Sequence, residues 1–273
     1  MLLPLPYFLL YFLLYVLVFL YGLVLCRRAV ENADRTDTYA PLPLPEKLDL
    51  YEVAYLRTED RIEVARLAVL ALVNSGYLTV WHGGEHTILE RRREGQDLPQ
   101  PLSTVLNWFS TPQEVEKMFN DDPRLGDLSP LCLEFEKRLK KESLLALEEA
   151  KSAGATAGGV SLTLLVVLSV PIFFELSDLG WWPGSFLLLI VVFILASACD
   201  PGRLSKRGED YLARLKIKAR GVPAGGLFQT SVGNDAHSHL LVAFALSGFE
   251  GVREPGYTFL STIWRPSPDE GAC

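Results

Sequence analysis

Cysteine is scarce in this sequence of 273 residues: only Cys26, Cys132, Cys199 and Cys273 occur, and no two are spaced like a zinc knuckle or the partners of a disulfide framework. Free thiols in a reducing compartment are the expected state. A basic surplus is missing as well. The formal net charge is −7, which argues against a protein held to nucleic acid by phosphate contacts. From Leu2 to Leu25 (LLPLPYFLLYFLLYVLVFLYGLVL) the chain lacks charge of either sign. A cleaved signal peptide would open with basic residues, run shorter and carry small residues before the cut, and this stretch has none of these features. The string LVLC invites a lipidated-cysteine reading, which the bulky Leu25 disfavours. A retained anchor ending at Cys26-Arg27-Arg28 is expected.

Hydrophobic residues make up 49% of the chain, an excess that points to further membrane segments. Two more runs approach the roughly 20 residues that a crossing helix needs. One extends from about Ala157 to Leu176 and the other from Trp181 to Cys199, with only Ser177-Asp178-Leu179-Gly180 between them. So short a connection demands an antiparallel helical hairpin with Trp181 and Trp182 at the interface. Pro171 should kink its first helix, which neighbouring helices in a membrane tolerate. The alternative, two core helices of a soluble protein, is disfavoured by the near absence of charge. Basic residues follow the first span (Arg27, Arg28), precede the second (Lys137, Arg138, Lys140, Lys141, Lys151) and follow the third (Arg203, Lys206, Arg207, Arg214, Lys216, Lys218), while the hairpin turn has none. The positive-inside rule then places the N-terminus outside and both large polar segments in the cytoplasm.

The first of these segments opens with Pro41, Pro43 and Pro45 in alternation, a stiff extended spacer of the polyproline type. Asp49 is placed to cap a short helix through Leu56. A second helix, about Asp60 to Asn74, is apolar around most of its circumference and should be buried on most sides, with Gly76 ending it in the left-handed conformation. The pattern then changes to two β-rich runs, YLTVWH and EHTILE, joined at Gly83-Gly84 as a hairpin.

That hairpin contains WHGGEH, a His-x-x-Glu-His string that supplies two metal ligands and a general base in one class of zinc peptidases. With a Gly-Gly turn, His82 would pair with Glu85 and Trp81 with His86, and alternation would put the two histidines on opposite faces of the ribbon. A helix would bring them to one face, but adjacent glycines in its middle would cost roughly 2 kcal/mol relative to alanine. No catalytic, cofactor-binding or metal-binding residue is therefore assigned. A zinc-dependent hydrolase at His82, Glu85 and His86 is the least favoured reading.

Two helices and a hairpin also outline a winged-helix module. A DNA-recognition helix needs several polar and basic side chains, yet between Glu59 and Asn74 only Arg61 and Arg66 occur, mixed with Glu59, Asp60 and Glu63. Arg91, Arg92 and Arg93 read as a solvated strand end. Helical patterns follow at about Leu102–Phe109, Pro112–Phe119 and Ser129–Lys151, the middle one with Thr111-Pro112-Gln113-Glu114 as its start. In the last, Glu134 with Arg138 and Glu136 with Lys140 are i,i+4 pairs, and Leu133, Leu139, Leu144, Leu145 and Leu147 can supply a buried stripe. This segment contains no Ser-His-Asp set, phosphate loop or carboxylate cluster. After the third span, Leu204–Lys218 is a basic amphipathic helix, suited to lipid headgroups or equally to an ordinary domain. A loop rich in glycine and proline, Gly221–Asn234, leads to a short apolar helix, Ala236–Val252. His237 and His239 lie on different faces of it as surface or capping residues.

Four stretches carry a resemblance: LPLPYFLLYFLLYVLVFLYGLVLCRR, LDLYEVAYLRTEDRIEVARLAVLALVNSGYLTV, LSKRGEDYLARLK and LLVAFALSGFEGV. Together they resemble a family of uncharacterised bacterial membrane proteins with an N-terminal anchor, a Tyr-Glu-Val-Ala-Tyr-Leu block, a central transmembrane hairpin and an Arg-Gly-x-x-x-Leu-x-x-Leu helix. Tyr51–Leu56 is the specific part. Many members have Gly-Gly where Arg57-Thr58 stands here, and many end in a Gly/Cys-rich tail, of which only Gly271-Ala272-Cys273 remains. The resemblance implies an architecture and no catalytic residue.

The expected fold is a mainly α membrane protein with three transmembrane helices and a helical, winged-helix-like cytoplasmic domain carrying one β-hairpin. Its divisions are an anchor (1–25), a Pro-containing linker (26–47), a cytoplasmic domain (48–156), the transmembrane hairpin (157–199) and a cytoplasmic C-terminal region (200–273). The bacterial inner membrane is the expected location. The expected role is a non-enzymatic scaffold or signalling adaptor, without cofactors, whose partners are the lipid bilayer and another protein. A membrane-tethered DNA-binding regulator is the alternative.

Overall fold

The computed structural model describes residues 5–44, 49–83, 86–95, 97–114, 123–177, 202–221 and 238–251. The expected third span with its turn, Glu85, His237, Cys199 and Cys273 lie outside these residues. In chain order the helices are α1 (Leu5–Ala33), α2 (Leu50–Thr58), α3 (Arg61–Asn74), α4 (Leu102–Trp108), α5 (Ser129–Lys141), α6 (Glu148–Ser177), α7 (Lys206–Gly221) and α8 (Ser238–Ser247). The strands are β1 (Leu78–Gly83), β2 (His86–Arg91) and β3 (Gln113–Glu114). The chain divides into two compact units, residues 1–40 with 145–207 and residues 41–144 with 208–273.

The first unit is built on α1 and α6, both long and apolar enough to cross a membrane. At 1.5 Å per residue each is about 45 Å long. They pack along a seam that contains Tyr15, Gly22 and Cys26 of α1 and Ala150, Gly154, Ser161 and Leu165 of α6, all buried. Small residues at these spacings let two backbones approach closely, the usual device where lipid removes any hydrophobic drive between helices. Away from the seam Leu13, Leu17, Leu20, Tyr21 and Val24 on α1 and Val160, Leu164 and Val167 on α6 are exposed.

The second unit is a helical core with a small sheet. Asp49 and Asp60 cap α2 and α3 as expected, their Oδ1 atoms accepting from Tyr51 N at 2.9 Å and Ile62 N at 2.8 Å. Glu59 turns the chain between the two helices with φ +52°. On α3, Val64, Ala65 and every residue from Leu67 to Leu72 are buried, so this helix is the centre of the unit. Gly76 follows with φ +73°. The sheet is antiparallel in the order β1-β2-β3, with Leu78, Thr87 and Leu89 buried and Trp81 exposed on the opposite face. Within the same unit α8 packs on α2 and α3 and buries Leu240, Leu241, Val242, Phe244, Ala245 and Leu246. That burial explains its composition: α8 is a core helix.

Several details differ from the sequence reading. The hairpin forms, but its register pairs Gly83 with His86 and His82 with Thr87, where the expected pairing was His82 with Glu85 and Trp81 with His86. Gln113 and Glu114 add a third strand, pairing with Leu89 and Ile88, where a helix start was expected; sheet pairing overrides a local capping signal. The remainder of that expected helix falls on residues 115–119, outside those described. The expected helix Ser129–Lys151 is broken after Lys141. Ser143 takes φ +57° while Ser143 N donates to Lys140 O and Leu144 N to Leu139 O, at 3.0 and 2.9 Å, a helix-ending motif that glycine usually fills. Leu133 is exposed, and Cys132, Phe135 and Leu139 supply the buried face of α5. Glu136 and Lys140 pair at 2.7 Å as expected, but Arg138 reaches Glu52 of α2 at 3.4 Å instead of Glu134.

Candidate functional site

The polar groups most firmly organised by this fold lie where α1 ends. Residues Ala33 to Ala40 leave the helix through a short 3₁₀ turn, Thr36–Thr38, and there Asp34 and Thr36 are buried. Asp34 Oδ1 accepts from Thr36 N at 3.1 Å and from Thr36 Oγ1 at 2.6 Å. Its Oδ2 accepts from Lys206 N at 2.8 Å, and Thr36 Oγ1 accepts from Arg207 N at 3.2 Å. Two of the backbone donors left open at the start of α7 are thus satisfied by residues some 170 positions earlier. A carboxylate at that end also meets the positive pole of the helix. Burial pushes the Asp34 carboxyl up, but the hydrogen bonds from Thr36 and Lys206 and the Lys206 charge outweigh it and hold the group below the usual aspartate value.

The side chains of the same two α7 residues return the contact. Lys206 Nζ donates to Glu31 O at 2.8 Å and lies 3.8 Å from Asp37. Arg207 donates to Ala40 O at 2.8 Å and stacks on Tyr39 with 5.5 Å from its guanidinium carbon to the ring centroid. Beside this joint, Leu145 and Leu204 form an antiparallel bridge, and Ala146 N donates to Arg203 O at 2.9 Å. The end of α1, the residues before α6 and the start of α7 therefore meet at one place within the first unit.

In the second unit the following residues of α7 are equally constrained. A Cβ on Gly208 would fall 2.0 Å from Leu144 O, so this close approach requires glycine. Leu212 and Leu215 are buried. Arg214 donates to Leu42 O at 3.0 Å and pairs with Asp210 at 2.9 Å. The residues around the first prolines are tied down on either side of the unit boundary, in the first unit by Arg207 at Ala40 and in the second by Arg214 at Leu42. Every named position of the Arg-Gly-x-x-x-Leu-x-x-Leu pattern, Arg207, Gly208, Leu212 and Leu215, has a packing or bonding role.

The Tyr51–Leu56 block is similarly occupied in the second unit. Val53, Ala54, Tyr55 and Leu56 are buried, and Tyr55 meets Phe135 with ring centroids 6.1 Å apart. Burial pushes Tyr55 up to about 12 and raises Glu52 despite the opposing charge of Arg138. Arg57 donates to Ala245 O at 3.3 Å, pairs with Glu63, and occupies the space that a Cβ on Gly248 would need. It ties α8 to α2 and α3.

At WHGGEH the backbone ladder places positions 82 and 86 on opposite faces of the ribbon, since 82 faces 87 and 86 faces 83. Among the described residues no three His, Cys, Asp or Glu side chains converge on a point that could hold a metal ion. His239 is exposed, and Cys26 and Cys132 are free and buried. On α3, Arg61 donates to Ser129 Oγ at 2.7 Å and Arg66 pairs with Glu63 at 2.8 Å. A surface cleft of about 440 Å³ beside α4 is lined by Thr104, Asn107, Gln113, Arg124 and Asp127. Several of its polar groups bond one another, Trp108 Nε1 donating to Asp127 at 3.2 Å and Arg124 to Gln113 Oε1 at 3.4 Å.

No family model, curated protein or solved structure matches this chain.

The joint was only half legible from sequence. Arg207 and Gly208 stand in a motif, whereas nothing in ENADRTD marks Asp34 and Thr36 as a cap for a helix so distant in the chain.

Proposed function

We propose that this protein is a non-enzymatic adaptor of the bacterial inner membrane, a member of the family that the sequence resembles. It crosses the bilayer three times, with its N-terminus outside, and presents residues 26–156 and 200–273 to a cytoplasmic protein partner. One observation carries the topology. The Leu145–Leu204 bridge and the Asp34–Lys206 contact join the end of α1, the residues before α6 and the start of α7, which supports a reading with all three on one side of the membrane. A chain that leaves through α6 must recross before Leu204, and Trp181–Cys199 is the run with the length and composition to do so. The outward leucines and valines of α1 and α6 support a lipid-facing surface, as do the hydroxyls of Thr156 and Thr163, which bond within their own helix to Ser152 O and Gly159 O, both at 2.8 Å.

The adaptor role is supported by how the second unit uses its charges: Arg61, Arg66, Arg57 and Arg138 make internal contacts, which favours protein contact over DNA binding. Topology is tested with single cysteines in a cysteine-free background, labelled in intact cells by a membrane-impermeant maleimide. A cysteine at Gly180 should react from outside and one at Arg92 or Lys218 only after permeabilisation; the reverse pattern would sink the topology. Crosslinking in native membranes should recover one reproducible protein partner, and recovery of none would count against the adaptor role. Salt-dependent retention of the full-length protein on DNA would replace it with the regulator reading.

A further inference from the structure

The first charged groups met on leaving the apolar surface of α1 are Arg27 and Arg28, both exposed. Other basic residues of the first unit are committed: Lys206 holds Glu31 O and Asp37, Arg207 holds Ala40 O, and Lys151 pairs with Glu148 at 3.5 Å. Arg27 and Arg28 form no ion pair with any described residue, although Glu31 lies one turn away on the same helix. Tyr21, 64% exposed, precedes Arg28 by two helical turns, with Val24 and Leu25 exposed between them. Residues seven apart lie on one face of a helix, so this face reads aromatic, apolar, then cationic towards the cytoplasmic end. Tyrosine is a residue of the headgroup level, and a guanidinium presents a planar fork that fits two phosphate oxygens at once.

We infer that Arg27 and Arg28 form a binding surface for anionic phospholipid headgroups, with the acyl chains lying against Tyr21, Val24 and Leu25. The inference rests on the membrane-spanning reading above. Charge complementarity selects the occupant: two guanidinium groups without a carboxylate partner among the described residues, at the edge of an apolar face, match a lipid that carries a net negative charge and not a zwitterionic one. A basic side chain near an anionic membrane surface contributes enough for two of them to favour anionic lipid on the order of tenfold.

The test uses the full-length protein purified in mild detergent and exposed to equal amounts of phosphatidylglycerol and phosphatidylcholine, with retained lipid counted by native mass spectrometry. Wild type should retain phosphatidylglycerol in clear preference, inorganic phosphate should not displace it at equal concentration, and the Arg27→Gln/Arg28→Gln variant should retain both lipids equally. Thermal unfolding and size-exclusion profiles equal to those of the wild type establish that the variant is folded. Absence of preference in wild type, displacement by inorganic phosphate, or a preference that survives in the double variant would each overturn the inference. Failure of the spanning reading is distinguishable, because the protein would then leave native membranes on an alkaline carbonate wash.

Discussion

Asp34 Oδ2 lies 2.8 Å from the backbone nitrogen of Lys206, so the residue that follows the first apolar helix caps a helix 172 positions later in the chain. This contact, with Thr36 beside it, ties the end of α1 to the first residues of α7 within the first unit. The first prediction concerns it. Asp34→Asn removes the charge while keeping the shape, and Asp34→Ala removes the cap; loss of such a cap costs about 1–2 kcal/mol. Hydrogen exchange should show the amides of Lys206 and Arg207 losing protection in both variants, more in Asp34→Ala. Unchanged protection would mean that the joint is incidental.

The same carboxylate sets a pH dependence. Its folded value lies below the unfolded one, so the stabilisation is present above the ordinary aspartate value and is lost as the pH falls through the lowered folded value. The difference in thermal stability between wild type and Asp34→Asn should therefore be constant near neutrality and shrink on acidification. A difference independent of pH down to the acid limit of folding would rule out the carboxylate as its source.

Gly208→Ala is expected to be damaging, since its Cβ would meet the backbone oxygen of Leu144 at 2.0 Å and no side chain can move aside. Overpacking of this kind costs about 1–3 kcal/mol. Gly126→Ala, where a Cβ meets nothing within 4 Å, is the control and should melt with the wild type. Equal melting of all three proteins would show that α7 does not sit against Leu144 in solution.

Arg57→Ala removes the bond to Ala245 O and leaves Glu63 with Arg66 alone. Hydrogen bonds to charged groups contribute about 1.5–3 kcal/mol, so α8 should become accessible to limited proteolysis well before the rest of the second unit. Arg57→Lys should rescue only part of this, because an ammonium cannot fill the space beside Gly248 in the same way. Protection of α8 equal to wild type in Arg57→Ala would assign its docking to Phe244 and its apolar neighbours alone.

Cys132 offers a probe of the second unit. Burial pushes its thiol up to about 11 against the lowering effect of Arg61, and the thiolate is the reacting form. Alkylation at pH 8 should be slow in the folded protein and accelerate in denaturant in step with unfolding. Rapid alkylation of the native protein would mean that α5 does not pack as described.

Arg57-Thr58 stands where many members of the family that the sequence resembles have Gly-Gly, and the contacts of Arg57 give that departure a physical content. Here the arginine is a strut between α2, α3 and α8, a part that glycine could not play. The zinc reading of WHGGEH depended on whether the string is helical. The antiparallel pairing of Leu78–Gly83 with His86–Arg91 answers it with a hairpin, one register step from the expected one.

The sequence by itself determined what depends on neighbours in the chain. Charge-free runs of sufficient length made α1 and α6 apolar helices, Asp49 and Asp60 capped α2 and α3 through amides two positions away, and Gly76 took the left-handed conformation after Asn74 and Ser75. The tertiary structure alone decided what depends on residues brought from afar: the capping of α7 by Asp34 and Thr36, the conversion of Gln113-Glu114 from a helix start to a third strand, the break at Ser143 that lets Leu145 reach Leu204, and the burial of α8. The physical reason is that hydrogen-bond donors and apolar faces do not record where their partners lie in the sequence. A local pattern can show that a helix end or face must be satisfied, but only the folded chain supplies the group that satisfies it.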